Sequence, residues 1–137
     1  MNYVVMGVFD EKRAGHNEHY YAERYTFIDF RGGLLIDPTA QFGFQNTIIT
    51  LSHDISGGSF TVPAVKRPVV IEHHAWITSN CVLYNCTIGH HSIIAVGAVV
   101  RNMTVPPYTI VEGNPARRIA VWSGSSWRKI TYQEKEE

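Results

Sequence analysis

The sequence predicts an all-β solenoid, a parallel β-helix of stacked coils. Two observations predict it: large apolar residues recur at steps of six, and a small residue stands two places before half of them. Phe30, Ile36, Phe42 and Ile48 are six apart, and after a break the pattern returns at Ile71, Ile77 and Leu83. A step of five leads to Ile88, steps of six to Ile94 and Val100, and further steps of five to Val105 and Ile110. Self-similarity at a fixed period marks a repeat architecture. The small companions are Ala40, Ala75, Cys81, Cys86, Ser92 and Ala98. In an extended chain, residues i and i−2 point the same way, so a large and a small residue together suit a narrow core walled by short strands. Six residues per edge is too short for a helix and too regular for a sandwich. Stacked coils of about three edges let each short strand pair with the coil above and below.

The elements follow in chain order. Residues 1–29 carry no six-residue register but many aromatic and charged side chains, Tyr20, Tyr21, Tyr25 and Phe27 among them, and are expected to cap the first coil. Residues 30–111 are the coils. The repeat fails at about 55–68, where Ser56-Gly57-Gly58-Ser59 and Pro63 are turn formers, so this stretch reads as a loop thrown out from one coil. Long excursions from a rigid scaffold often carry function. After Ile119, the segment with Trp122 and Trp127 is expected to form a packed turn or short helix, ending in the frayed acidic run Glu134-Lys135-Glu136-Glu137. Residues 112–137 would thus cap the other end of a single domain spanning 1–137.

Composition excludes several classes of function. The 137 residues fit one domain, and 45% hydrophobic with 18% charged residues is a globular balance. Lys+Arg and Asp+Glu are both 12, so no net charge draws the chain to nucleic acid or an anionic membrane. No apolar run approaches the roughly 20 residues that span a bilayer. The first residues lack the basic start and apolar core of a signal peptide, and two cysteines make no disulfide framework. A reduced, cytoplasmic protein is the expectation.

Particular residues carry a resemblance. Val70-Ile71-Glu72-His73-His74-Ala75-Trp76-Ile77, Thr87-Ile88-Gly89, Ile94-Ala95-Val96-Gly97-Ala98-Val99-Val100 and Val105 to Arg117, ending Gly113-Asn114-Pro115-Ala116-Arg117, are similar to the hexapeptide-repeat acyltransferases. Ser52-His53-Asp54 before a loop, with Ala75-Trp76-Ile77, resembles the branch of sugar and xenobiotic O-acetyltransferases. The resemblance covers roughly residues 30–120. It implies a left-handed β-helix, against the usual crossover rule, and a homotrimer with active sites between subunits. It also implies acetyl-CoA as acyl donor and a hydroxyl of a sugar or other small molecule as acceptor. Most repeats lack the glycine that often follows the anchor, which survives at Gly43 and Gly89.

The candidate chemistry centres on His53. Transfer of an acetyl group to a neutral alcohol needs a base, and imidazole suits that near pH 7. The family's catalytic histidine occupies this place; on residues alone, His53 also reads as an ordinary loop histidine. Asp54 is a candidate for ring orientation or substrate binding, although neighbours on an extended strand point apart and favour a turn role. Trp76 should point outward, as a wall of the acceptor groove or an aromatic at a subunit interface. Ala95 and Gly97 offer a close-approach backbone for a pantetheine arm, or simply a well-packed coil. Arg117 and Arg118 suit the phosphates of coenzyme A, or form a solvated charge pair. Cys81 and Cys86 fall at inward positions and read as buried fillers, which favours direct transfer over an acyl-enzyme. No metal is expected, because the neighbours in His73-His74 and in His90-His91 should face opposite sides. Two other readings stand beside the acetyltransferase. One is a γ-carbonic-anhydrase-like protein in which Ser79 and Tyr84 hold the places of zinc-binding histidines. The other is a non-catalytic assembly or binding subunit.

Overall fold

A computed structural model describes residues 3–6, 26–61 and 63–131, with backbone only at 3–6. The expected N-terminal cap lies almost wholly outside these residues, as does the acidic tail. The described residues contain strands and turns and no helix.

The chain enters with β1 (Tyr3–Met6) and β2 (Thr26–Asp29), then passes β3 (Leu34–Ile36), β4 (Gln41–Phe42) and β5 (Thr47–Ile49). An arm follows, rooted by β6 (Leu51–Ser52) and β7 (Val65–Lys66). Beyond it come β8 (Val69–Ile71), β9 (Trp76–Ile77), β10 (Val82–Ile88), β11 (Ile93–Ile94), β12 (Val99–Val105) and β13 (Thr109–Glu112). The chain closes with β14 (Arg117–Trp122) and β15 (Trp127–Lys129).

Pairing from β1 to β13 is parallel outside the arm, and its register repeats the sequence period. Ile71 pairs Ile88, Ile77 pairs Ile94, Leu83 pairs Val100 and Ile94 pairs Val111, seventeen residues apart each time. Pairs that span the arm, Ile48 with Leu83 and Phe42 with Ile77, are thirty-five apart, so the arm adds eighteen residues to one coil. One curled sheet runs β1-β2-β5-β10-β8-β3 with β12 beside β10; a second runs β15-β14-β13-β11-β9-β4. The first sheet folds within β10 and β12. Val82 to Tyr84 pair β5, whereas Cys86 to Ile88 pair β8. Between them Asn85 takes φ 46°, and Asn102 above it takes φ 52°. This left-handed corner lets Leu83 and Ile88, five apart, both face inward. The Asn85 side-chain Nδ2 donates to Asn102 Oδ1 at 2.9 Å, tying the two corners together. Asparagine tolerates this backbone region better than most residues.

The expected core is the observed one, with one correction. Ile48, Ile77, Leu83, Ile88, Ile94, Val100 and Val105 are fully buried, and so are Ala75, Cys81, Ser92 and Ala98. Burying one such aliphatic contributes about 1.5–3 kcal/mol. The last anchor is Val111, not Ile110. Val111 is buried whereas Ile110 is half-exposed, because the corner Pro106-Pro107-Tyr108 keeps a six-residue step from Val105. Thr109, two places earlier, fills the small inward position. The coil also starts earlier than the pattern implied, since Phe27 pairs Thr47 and Ile28 pairs Ile48. Gly89 lies where coils touch: a Cβ there would stand 2.5 Å from the Pro107 nitrogen.

The C-terminal cap is neither a simple turn nor a helix. β14 pairs β13 antiparallel and β15 pairs β14 antiparallel, with the Trp122 and Trp127 rings edge to face at 5.5 Å.

Candidate active site

The arm leaves the coil at a pinned root. Thr50 is buried, its hydroxyl donates to the Asp29 carbonyl at 2.8 Å, and it accepts from the Gly32 amide at 2.8 Å. The buried Asp29 carboxylate meets Arg31 Nε at 2.8 Å and Nη2 at 3.2 Å, and takes the Thr50 amide at 3.3 Å. Burial raises the Asp29 pKa, but hydrogen bonds from the Arg31 side chain and from the Arg31 and Thr50 amides outweigh it and hold the carboxyl below its usual range. The Arg67 amide then donates to the Thr50 carbonyl at 2.7 Å, so both ends of the arm meet at one residue. Antiparallel pairs Leu51 with Lys66 and Ser52 with Val65 build its base. The excursion therefore starts before residue 55, leaving at β6 and returning at β7.

His53 is the first residue past that base. Its Nδ1 lies 2.5 Å from the Thr61 carbonyl oxygen, and its ring packs edge-on to Phe60 at 5.3 Å. A carbonyl only accepts, so Nδ1 carries the proton and Nε2 of the neutral ring keeps its lone pair. The Thr61 amide returns to the Asp54 carbonyl at 3.0 Å, fixing the two sides of the arm around the imidazole. The Asp54 side chain is occupied elsewhere: Oδ1 accepts the Ser56 amide at 2.9 Å. That amide, with the Ser56 side chain, holds the fully exposed carboxyl below its usual range. Asp54 shapes the turn, whereas the His53 ring is held by the Thr61 carbonyl. Ile55 and Phe60 on the tip are 71% and 65% exposed, a large apolar surface beside His53.

The remaining expected residues gather on the second sheet. Trp76 points outward, 49% exposed, between Gln41 and Ile93 in register. Ala95 and Gly97 form the corner after β11, with Val96 standing out at 68% exposure. Their amides hydrogen-bond within the coil, Ala95 to the Val111 carbonyl at 3.0 Å and Gly97 to the Ser79 carbonyl at 2.9 Å. Arg118 lies opposite Val111 across β13 and β14, and Arg117 lies opposite Glu112. Trp76 on β9, Ala95 and Gly97 at the corner after β11, and Arg117 and Arg118 on β14 thus lie along one sheet, whereas His53 stands on the arm that leaves the other. Among the described residues no hydrogen bond or ring contact joins His53 to Trp76. Cys81 and Cys86 are buried as expected, and burial pushes the Cys86 thiol up to about 12. Ser79 Oγ accepts the Phe44 amide at 2.9 Å.

Sequence reasoning missed Asp29 and Thr50, which position the arm, and misjudged the paired histidines. Nδ1 of His73 and Nδ1 of His74 are 3.2 Å apart, and those of His90 and His91 are 3.1 Å apart. The rings do not face opposite sides, because His74 and His91 take φ 57° and 59° at a corner, where the alternation of a strand does not hold.

No family model matches the chain, and no curated protein does. Solved structures do match, and those that the chain resembles are hexapeptide-repeat acetyltransferases and acyltransferases. One, from Vibrio cholerae and crystallised with acetyl coenzyme A, is 31% identical over 71% of this chain and 57% of its own, with a TM-score of 0.55. This chain therefore spans little more than half the length of that protein. A maltose O-acetyltransferase from Clostridium difficile shares the fold at 23% identity, over 94% of this chain and 66% of its own, TM-score 0.63. An N-acyltransferase from Bacillus cereus, crystallised with an amino-sugar nucleotide and coenzyme A, shares it at 20% identity, over 71% and 57%, TM-score 0.59.

Proposed function

We propose that this chain is an acetyl-CoA-dependent O-acetyltransferase acting on a hydroxyl of a sugar or other small molecule, with His53 as general base. The carrying observation is the Nδ1 hydrogen bond to Thr61, which leaves Nε2 as the basic nitrogen of an exposed ring on a pinned arm. Acetyl-CoA supplies an activated thioester. Nε2 accepts the hydroxyl proton as the oxygen attacks the thioester carbonyl, and a backbone amide receives the developing oxyanion. The imidazolium returns the proton to the departing sulfur as the C–S bond breaks. Direct transfer fits the burial of both cysteines, which keeps each thiol from acting as a nucleophile.

The donor fits the second sheet. A side-chain carbon at Gly97 would meet nothing within 4 Å, so the corner is open to a pantetheine arm lying over Val96. The amides of Ala95 and Gly97 are engaged in the coil, so packing rather than those donors would hold it. Arg117 and Arg118 would meet the phosphates. His53 and the second sheet stand apart in one chain, and the arm tip is apolar. Both features support a homotrimer of left-handed coils in which one subunit's arm covers the next subunit's Trp76. A cytoplasmic, single-domain protein fits the free cysteines. No described helix is long and apolar enough to cross a membrane.

Thiol release from acetyl-CoA with a panel of sugars tests this reading. Acceptor-dependent release that His53→Ala abolishes supports it. Release undiminished in that variant, or a chain that light scattering finds monomeric, overturns the base or the shared site respectively.

A further inference from the structure

A second cluster of histidines lies at the coil corner between β8 and β9 and at its repeat between Ile88 and β11, apart from the arm. His73 stacks on His90 with centroids 4.7 Å apart and planes 5° from parallel; His74 stacks on His91 at 4.9 Å and 16°. Tyr108 continues the column over His91 at 4.7 Å. The pairs recur at the seventeen-residue period of the coil, so parallel pairing superimposes them. Backbone contacts fix each corner. The His74 amide donates to Thr39 Oγ1 at 2.7 Å, the His91 amide to the His73 carbonyl at 3.2 Å, and the His90 amide to Glu72 Oε1 at 3.0 Å.

Ligand nitrogens of His73, His74 and His91 all lie within 4.8 Å of one another. Imidazole nitrogens bind zinc at about 2.0–2.1 Å, so two of them on a tetrahedral ion stand roughly 3.3–3.4 Å apart. The 3.2 Å between the Nδ1 atoms of His73 and His74 is close to that bite. His91, from the next coil, places a ligand nitrogen within 4.8 Å of both. Three protein nitrogens with a solvent-facing fourth position form an open imidazole site, a donor set that favours zinc, copper or nickel over magnesium or calcium. Asp37 lies within electrostatic reach of His73 and His74 and adds negative charge near the cation.

We propose that His73, His74 and His91 form a surface site for a divalent first-row metal ion, zinc foremost, which ties two successive coils together. The site is independent of the reading given to His53.

The test uses the full chain, stripped with chelator and titrated with zinc chloride by calorimetry. One equivalent of zinc per chain, bound at micromolar or tighter affinity and raising the thermal midpoint by several degrees, is expected. The double variant His74→Gln/His91→Gln should bind at least tenfold more weakly and lose the thermal rise. A readout on the unaltered chain guards against misfolding of that variant. In long-range ¹H–¹⁵N spectra, zinc should shift the imidazole signals of His73, His74 and His91 and leave those of His16, His19 and His53 in place. Absence of stoichiometric binding, equal affinity in the double variant, or shifts confined to the other imidazoles would overturn the site.

Discussion

Histidine appears on this molecule in two settings, and the contrast shows how surroundings set its chemistry. On the arm, one ring is held by a carbonyl at Nδ1 and offers a single basic nitrogen to solvent. At the coil corner, four rings stack two by two, with nitrogens facing nitrogens at 3.1–3.2 Å. The first arrangement suits moving a proton, the second holding a cation. The difference comes from the backbone: an excursion isolates His53, whereas the coil's period brings the paired histidines into register.

The largest expected effect separates the two settings. His53→Ala should lower acetyl transfer by about 10²–10⁴-fold, the range for a removed general base, while zinc affinity stays at the wild-type value. Steady-state thiol release and calorimetry on the same variant check both. Next comes the scaffold under the corner. Ile94→Ala, at a fully buried anchor, should cost about 2–5 kcal/mol in urea unfolding. Its damage should reach both settings, because each hangs on the coil. A smaller effect targets the arm's root alone. Asp29→Asn should cost about 1–3 kcal/mol by unpairing a buried hydrogen-bonded group, and should lower transfer more than zinc binding.

The same carboxylate gives a pH prediction. Its folded pKa is depressed, so its contribution is present above the ordinary aspartate value of 3.8 and fades as pH falls through the lower folded value. Unfolding midpoints of Asp29→Asn and wild type should therefore converge on acidification below that range. The smallest effect is at the tip. In the dissociated chain Ile55→Ala should change stability by no more than about 0.5 kcal/mol, since the side chain is 71% exposed there. A larger loss in the assembled protein would show that a neighbouring subunit covers the tip.

Most of the coil was legible because one physical rule, an inward residue every sixth place, governs it. The rule holds at Val111, six places after Val105; the expected five-residue step to Ile110 does not occur, because the corner Pro106-Pro107-Tyr108 keeps the full length. The repeat has no phase for Asp29, a charged residue buried where it accepts from the Arg31 side chain and the Thr50 amide. His53 was legible from its place before turn formers, but the Thr61 carbonyl that sets its tautomer comes from the far side of a loop. The paired histidines were misread because strand alternation was applied to residues at positive φ. The signal was nonetheless present, since His73-His74 and His90-His91 stand one coil apart. Handedness is invisible to spacing, because coils of either hand share the same period.

The reversal at β14 and β15 has a consequence for self-association. A solenoid that ended on a bare coil edge would offer the next molecule a matching template, and chains could add end to end into filaments. Here, among the described residues, two reversals leave the outermost strand of that sheet, β15, only three residues long, two of them Arg128 and Lys129. A second coil arriving there finds a template too short to extend and a cationic rim. The hairpin thus acts as a terminator of polymerisation, steering any assembly of this chain toward side-by-side contacts.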